Sequence, residues 1–309
     1  MKLRPNLVKR LLTALLLIIS LHGLAFAEPL QPVLVAPIEP MAYLLERVAG
    51  QDFTVRVLIP KGGSPHTFEI TPRQMVELSG AKACFSLNMP LERSIVARLR
   101  AANPAMQVFA LNQNIAMRYF TARESAAENH GHEIEGRHED EVEDYGAGAQ
   151  PDPHTWLDPL NAIIQAENMA KGLSRLNPER QAYYQANLHA LVNDLEELDR
   201  RLSRALLPYK GQSFLVYHPA FGYLARRYGL EQVAVEMEGK EPTPRALAQT
   251  FAMAKSQGIK VVFVQPHFPE AQATLLAEEL GGFVVVLDPL AKDYILNLMK
   301  IVNDLTAEL

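Results

Sequence analysis

Apolar residues in this chain fall into short runs separated by amphipathic stretches. In the first half the runs are Val33 to Ala36, Phe53 to Ile59, Ala81 to Leu87 and Val108 to Leu111. In the second they are Ser213 to Tyr217, Gln232 to Val235, Val261 to Val264 and Phe283 to Leu287. Near-continuous Val, Ile and Phe, with helical patterns between the runs, is the signature of parallel strands covered on both faces. The rhythm predicts an α/β protein of two lobes, each with a four-stranded, mainly parallel sheet flanked by helices.

Between the two sets of runs, Pro178 opens a stretch in which Leu188, Leu191, Leu195, Leu198, Leu202 and Leu206 keep a three-four spacing until Pro208. Glu196, Glu197, Arg200 and Arg201 lie off that stripe, as on an amphipathic helix packed along the molecule. A partner-binding coiled coil is the alternative, disfavoured because the stripe is too short to sustain one. As a rigid strut such a helix limits hinge motion, where a Gly/Ser linker permits it. The predicted organisation is a leader over 1–27, a first lobe over 28–177 with an insert at 124–150, a linking helix over 178–207 and a second lobe over 208–309.

The leader has its own pattern. Lys2, Arg4, Lys9 and Arg10 precede an apolar run from Leu11 to Ile19 that ends near Ala25-Phe26-Ala27. A positive start, a short apolar core and a small-x-small exit predict a secretory signal peptide cut after Ala27. The run is shorter than the ~20 residues of a membrane span. The single cysteine, Cys84, lies within the third apolar run rather than at the cut, so the expectation is a free periplasmic protein without a lipid anchor or an intrachain disulfide. Loss of the leader's four basic residues takes the formal charge from −5 to −9, which argues against nucleic acid as a partner.

The segment 124–150 breaks every pattern. It is dense in Glu and Asp, nearly free of apolar residues, and carries His130, His132 and His138. Its composition predicts a solvated, disordered tract. Acidic, His-rich tracts also bind metal weakly, so these three histidines are candidate secondary ligands.

Four residues outside the tract stand where an α/β fold presents side chains to a cleft. His66 sits in the tight loop Gly62-Gly63-Ser64-Pro65-His66, after the second apolar run. His154 lies in Pro151-Asp152-Pro153-His154-Thr155-Trp156-Leu157-Asp158-Pro159, stiffened by prolines and placed just ahead of a helix that Asp158 and Pro159 are suited to start. Such fixed backbone lowers the entropy cost of ligation. His218 and Asp288 each directly follow a strand-like run and precede a proline, at the carboxyl ends where such folds bind ligands. Taken singly, a loop histidine is usually polar surface, and Asp288 serves equally as a helix cap. Together, three imidazoles and one carboxylate form the donor set that tetrahedral zinc accepts, at roughly 2.0 to 2.2 Å per bond.

These segments, with Tyr217-His218-Pro219-Ala220-Phe221-Gly222-Tyr223, Gly239-Lys240-Glu241-Pro242-Thr243-Pro244 and Leu287-Asp288-Pro289-Leu290, resemble the metal-specific solute-binding proteins of ABC importers. The resemblance spans essentially the whole mature chain. It implies two α/β lobes bridged by one long helix, with metal clamped by His66 and His154 from one lobe and His218 and Asp288 from the other. It also implies a monomer that delivers its ion to the transmembrane subunit of an ABC permease. The acidic histidine tract ahead of the second ligand looks like that of the zinc-importing branch.

Manganese-importing relatives resemble this chain too, but tend to carry Glu where His218 stands. Imidazole suits zinc, and harder cations prefer oxygen, so Zn²⁺ is expected as the transported ligand, with manganese or iron the alternative. Pro65 excludes the Glu that some zinc-branch members carry before the first histidine, while water replacing Asp288 stays open. His267, in Gln265-Pro266-His267-Phe268, departs from the family, which carries Gln or another polar residue there. It reads as a surface histidine or one beside a ligand, because four better placed donors already complete a tetrahedron. His189 reads as packing or solvent-facing, and Glu236 stands in a polar loop that lies over the site or faces the permease.

The expected mechanism is reversible capture without chemistry. A zinc hydrolase is the rival, since three histidines plus water is also a catalytic shell, but no His-Glu-x-x-His stretch or nucleophile elbow is present. A metal-binding adhesin is a second rival, disfavoured by the lack of a lipid-attachment cysteine.

Overall fold

The computed structural model describes residues 31–121, 124, 150–236, 243–268 and 270–309. The leader over 1–27, nearly all of the tract at 124–150 with His130, His132 and His138, and the loop at 237–242 lie outside the described residues.

The first sheet contains β1 (Val33–Ala36), β2 (Thr54–Val57), β3 (Ala83–Ser86) and β4 (Gln107–Ala110), with α1 (Glu39–Ala49), α2 (Pro72–Ser79) and α3 (Pro90–Ala102) between them. After α4 (Pro159–Leu176) and α5 (Gln181–Leu206) comes the second sheet: β5 (Ser213–Val216), β6 (Glu231–Ala234), β7 (Val261–Val264) and β8 (Phe283–Val286). Its helices are α6 (Gly222–Tyr228), α7 (Pro244–Ser256), α8 (Glu270–Glu279) and the closing α9 (Tyr294–Glu308). Both sheets are wholly parallel, and their strand orders are equivalent: β2-β1-β3-β4 and β6-β5-β7-β8. In each, the crossover direction reverses between the two central strands, which opens a crevice at their carboxyl ends.

Alternate residues of the central strands serve two faces. Phe214, Val216, Val261 and Phe263 belong to a large apolar cluster that continues through α5, α1 and β1, whereas Leu215, Tyr217, Val262 and Val264 join a smaller cluster on the other face of the second sheet. Burial on both faces is why these runs are apolar without alternation. The edges differ from that expectation. Phe283 and Val286 of β8 and Val108 of β4 are exposed, because an edge strand has a neighbour on one side only.

The linking helix α5 buries Tyr184, Leu191, Leu195, Leu198, Leu202 and Leu206, while Leu188 is half-buried. It packs along α4, α1 and α9, so helices from the start and end of the described chain meet on its surface. Among the described residues no helix is long and apolar enough to cross a membrane.

Candidate metal centre

Each candidate ligand is held by local backbone chemistry. Leu58 and Ile59 continue from β2 by donating to the carbonyls of Ala36, the last residue of β1, and Pro37. The chain then turns at Gly62, whose φ of 85° lies in the left-handed region that glycine enters without a Cβ penalty. Ser64 closes the next turn: its hydroxyl accepts the His66 N–H at 3.2 Å, and its carbonyl accepts from Thr67 and Phe68.

For His154 the anchor is Asp152, fully buried, whose Oδ1 accepts both the His154 backbone N–H at 2.9 Å and its ring Nδ1–H at 2.7 Å. A 3-10 turn over Thr155–Leu157 follows, and Asp158 caps α4 by accepting from Leu160 N at 2.9 Å. His218 extends β5. Its ring donates Nδ1–H to buried Glu236 at 2.6 Å, its carbonyl accepts from Gln265, and its face stacks on Phe268 with centroids 4.9 Å apart.

The structure brings His66, His154 and His218 together: one ring nitrogen from each lies within 4.8 Å of the others. The Nε2 atoms of His154 and His218 are 3.3 Å apart. Two donors on a tetrahedral zinc, at roughly 2.0 to 2.1 Å per bond, stand roughly 3.3 to 3.4 Å from each other. His66 Nε2 is buried without a hydrogen-bond partner. Because Asp152 and Glu236 take the Nδ1–H of two rings, the Nε2 lone pairs of those rings face the shared space. Carboxylates placed behind metal-binding imidazoles fix the tautomer and raise basicity.

Electrostatics keep these rings ready for a cation. Burial, then the neighbouring His154 and His267, push the His66 pKa down to about 3. Burial and the same cluster hold His218 well below the ordinary histidine range. An unprotonated imidazole is the form that binds metal.

Asp288 occupies its expected place after β8 but is not among the converging atoms. Its Oδ1 accepts the Leu290 N–H at 2.8 Å, so the carboxylate is engaged as a local backbone cap. The quartet read from sequence is thus three residues at one point and a fourth beside it. His267, read from sequence as a surface histidine or one beside a ligand, lines the same small cavity as the three histidines, together with Trp156 and Pro289. Sequence reasoning also missed the roles of Asp152 and Glu236. The signal for Asp152 was its place two residues before His154; for Glu236 it was its position just past β6, the strand paired with β5.

A buried polar cluster ties this centre to the contact between the lobes. The Arg118 guanidinium lies 2.5 Å from Asp152 and 2.5 Å from Glu124, and its backbone N–H donates to the Tyr223 hydroxyl at 2.9 Å. Glu124 accepts from Gln232 Nε2 at 2.7 Å, and Gln232 in turn accepts from Phe221 N. Gly222 lets Arg118 in, since a Cβ there would stand 1.7 Å from Nη1. On the other side, Trp156 Nε1 donates to the Pro289 carbonyl at 2.9 Å, and the Tyr294 hydroxyl donates to the Trp156 carbonyl at 2.6 Å.

A cavity of about 790 Å³ opens onto His66 and His218, with Tyr119 and Phe120, just ahead of the His-rich tract, and Gln150, its last residue, in its wall. A larger one, about 920 Å³, lies at the amino ends of β5, β6, β7 and β8 and contains no histidine, so volume alone does not locate the centre.

The family model described as zinc-uptake complex component A, periplasmic (ZnuA) matches residues 34–307. The zinc-binding protein AdcA of Streptococcus pyogenes is 28% identical over 254 residues, covering 81% of this chain and 49% of its own length. The high-affinity zinc uptake system protein ZnuA of Bacillus subtilis is 26% identical, covering 81% of this chain and 76% of that protein. A crystal structure of a ZnuA superposes with a TM-score of 0.79 and 32% identity, covering 90% of this chain and 99% of that one. The chain spans about half the length of the AdcA relatives it matches.

Proposed function

Because the chain belongs to the family of periplasmic zinc-uptake complex components, we propose that it captures Zn²⁺ outside the cytoplasm and delivers it to the transmembrane subunit of an ABC permease. His66, His154 and His218 hold the ion, and a fourth donor comes from the side of Asp288 and the carboxyl ends of β7 and β8. The observation that carries this reading is the convergence of three imidazoles, two of them backed by buried carboxylates and set 3.3 Å apart at Nε2. Three nitrogens favour zinc over manganese.

The chain acts by binding, as a monomer, after export through a leader cut behind Ala27. Affinity comes from pre-arranged donors, and release follows when docking on the permease separates the lobes. His130, His132 and His138 add weak ions that feed the main site.

Native mass spectrometry and calorimetry of the exported protein test this. One tightly held Zn²⁺ is expected, abolished by His154→Ala or His218→Ala and retained in His189→Ala. Removing residues 125–149 is expected to leave that ion and eliminate only the weak ones. Tight zinc binding that persists in both His154→Ala and His218→Ala would sink the assignment. Amino-terminal sequencing checks the cut.

A further inference from the structure

We propose that His267, rather than Asp288, is the fourth protein donor to the captured ion; this rests on the binding reading above. The cavity bounded by the candidate ligands has a volume of about 10 Å³. That is about the space of one water-sized sphere, enough for a single ion. Among the described residues four imidazoles line it, from His66, His154, His218 and His267, and no carboxylate does.

Position explains why His267 is there. Its loop leaves the carboxyl end of β7, the direct neighbour of β5, which carries His218. Phe268 lies against both rings, with centroids 4.8 Å from His267 and 4.9 Å from His218, so the two imidazoles share one packing partner. Gln265, two residues earlier, donates to the His218 carbonyl at 2.9 Å and fixes the start of that loop on the ligand strand. His267 is half-buried and outside the tight group of three, so ligation closes the loop onto the ion.

The alternative donor is less well placed. Like His267, Asp288 lies outside the converging group of three, but its Oδ1 is taken by the Leu290 N–H and it does not line the cavity. Charge balance points the same way. Asp152 and Glu236 stand directly behind His154 and His218, and with Arg118 shared between Asp152 and Glu124 these four groups carry two net negative charges, which match a divalent ion. A neutral fourth donor completes the shell without excess negative charge. Four nitrogens also bias the site further toward zinc and away from manganese.

X-ray absorption of the full exported protein loaded with Zn²⁺ alone is the test, because multiple scattering from imidazole rings counts histidines. Four imidazoles are expected in the wild type and in Asp288→Asn, and three plus a light-atom donor in His267→Gln. The same His267→Gln substitution is expected to lower zinc affinity by about 10- to 100-fold and to shift the visible spectrum of the Co²⁺-loaded protein. Three imidazoles plus one oxygen in the wild type, unchanged in His267→Gln and altered in Asp288→Asn, would overturn the inference while leaving zinc capture intact. A wild type that takes up no zinc would overturn the capture reading and this inference with it.

Discussion

Buried carboxylates are the residue-scale device of this molecule, and they do opposite things at different positions. Asp152 and Glu236 are each satisfied by an imidazole N–H, which aims the opposite ring nitrogen into the centre. Asp152→Asn and Glu236→Gln are expected to lower zinc affinity by about 10- to 100-fold with the fold unchanged, as measured by competition with a zinc chelator. Glu92, fully buried at the start of α3, accepts the Met89 N–H at 3.2 Å, and burial raises its pKa to about 7. A carboxyl whose folded pKa is raised contributes stability that is complete below its unfolded value and lost as pH rises through 7. Glu92→Gln should therefore raise the melting temperature at pH 8, with the gain shrinking toward pH 5. The histidines behave in the reverse sense. His66 and His218 have folded pKa values below the ordinary ~6.5, so the unfolded chain takes up their protons first. The metal-free protein should lose stability as pH falls from about 6.5 toward 3, visible in thermal melts across that range. At this scale the sequence told residue type but not direction: His66, His154 and His218 were legible because each follows a stiff turn or strand end. His267 reads as a surface histidine or one beside a ligand because four other donors already complete a tetrahedron, and nothing in Gln265-Pro266-His267 says which way its ring turns.

Elements were easier to read than their ends. The eight strands lie within the apolar runs or one residue from them, yet Phe53, Leu58 and Ile59 are buried just outside β2. Apolar residues mark burial, and burial outlasts the ladder where a strand passes into a packed turn. The linking helix was clear because a three-four leucine spacing has one physical meaning. Leu195, fully buried in α5, should cost about 2 to 5 kcal/mol when cut to Ala, measured by chemical denaturation. Gly172 of α4 is a further element-scale constraint, since a Cβ there would lie 2.8 Å from a Phe85 ring atom and 3.0 Å from Phe109. What no periodicity could reveal is the Arg118 cluster, assembled from 118, 124, 152, 223 and 232 by tertiary packing alone.

For the whole molecule, the centre is also a fastener. The candidate ligands come from segments separated by the full linking helix, so an ion held by them would stabilise the arrangement that unites them. Zinc at 100 times its dissociation constant should add about 2.7 kcal/mol to unfolding, read as a rise in melting temperature that chelation reverses. Arg118→Met should remove stability by about 3 to 5 kcal/mol, because Asp152 and Glu124 would be left as uncompensated buried charges.

The depressed basicity of His66 and His218 has a calorimetric consequence. Two rings that carry no surplus proton at neutral pH have none to surrender when the ion arrives. In two buffers that do not bind zinc and differ widely in ionisation enthalpy, those two rings should then add no buffer-dependent heat to the titration. Capture at those two rings draws nothing from the buffering power of the surroundings.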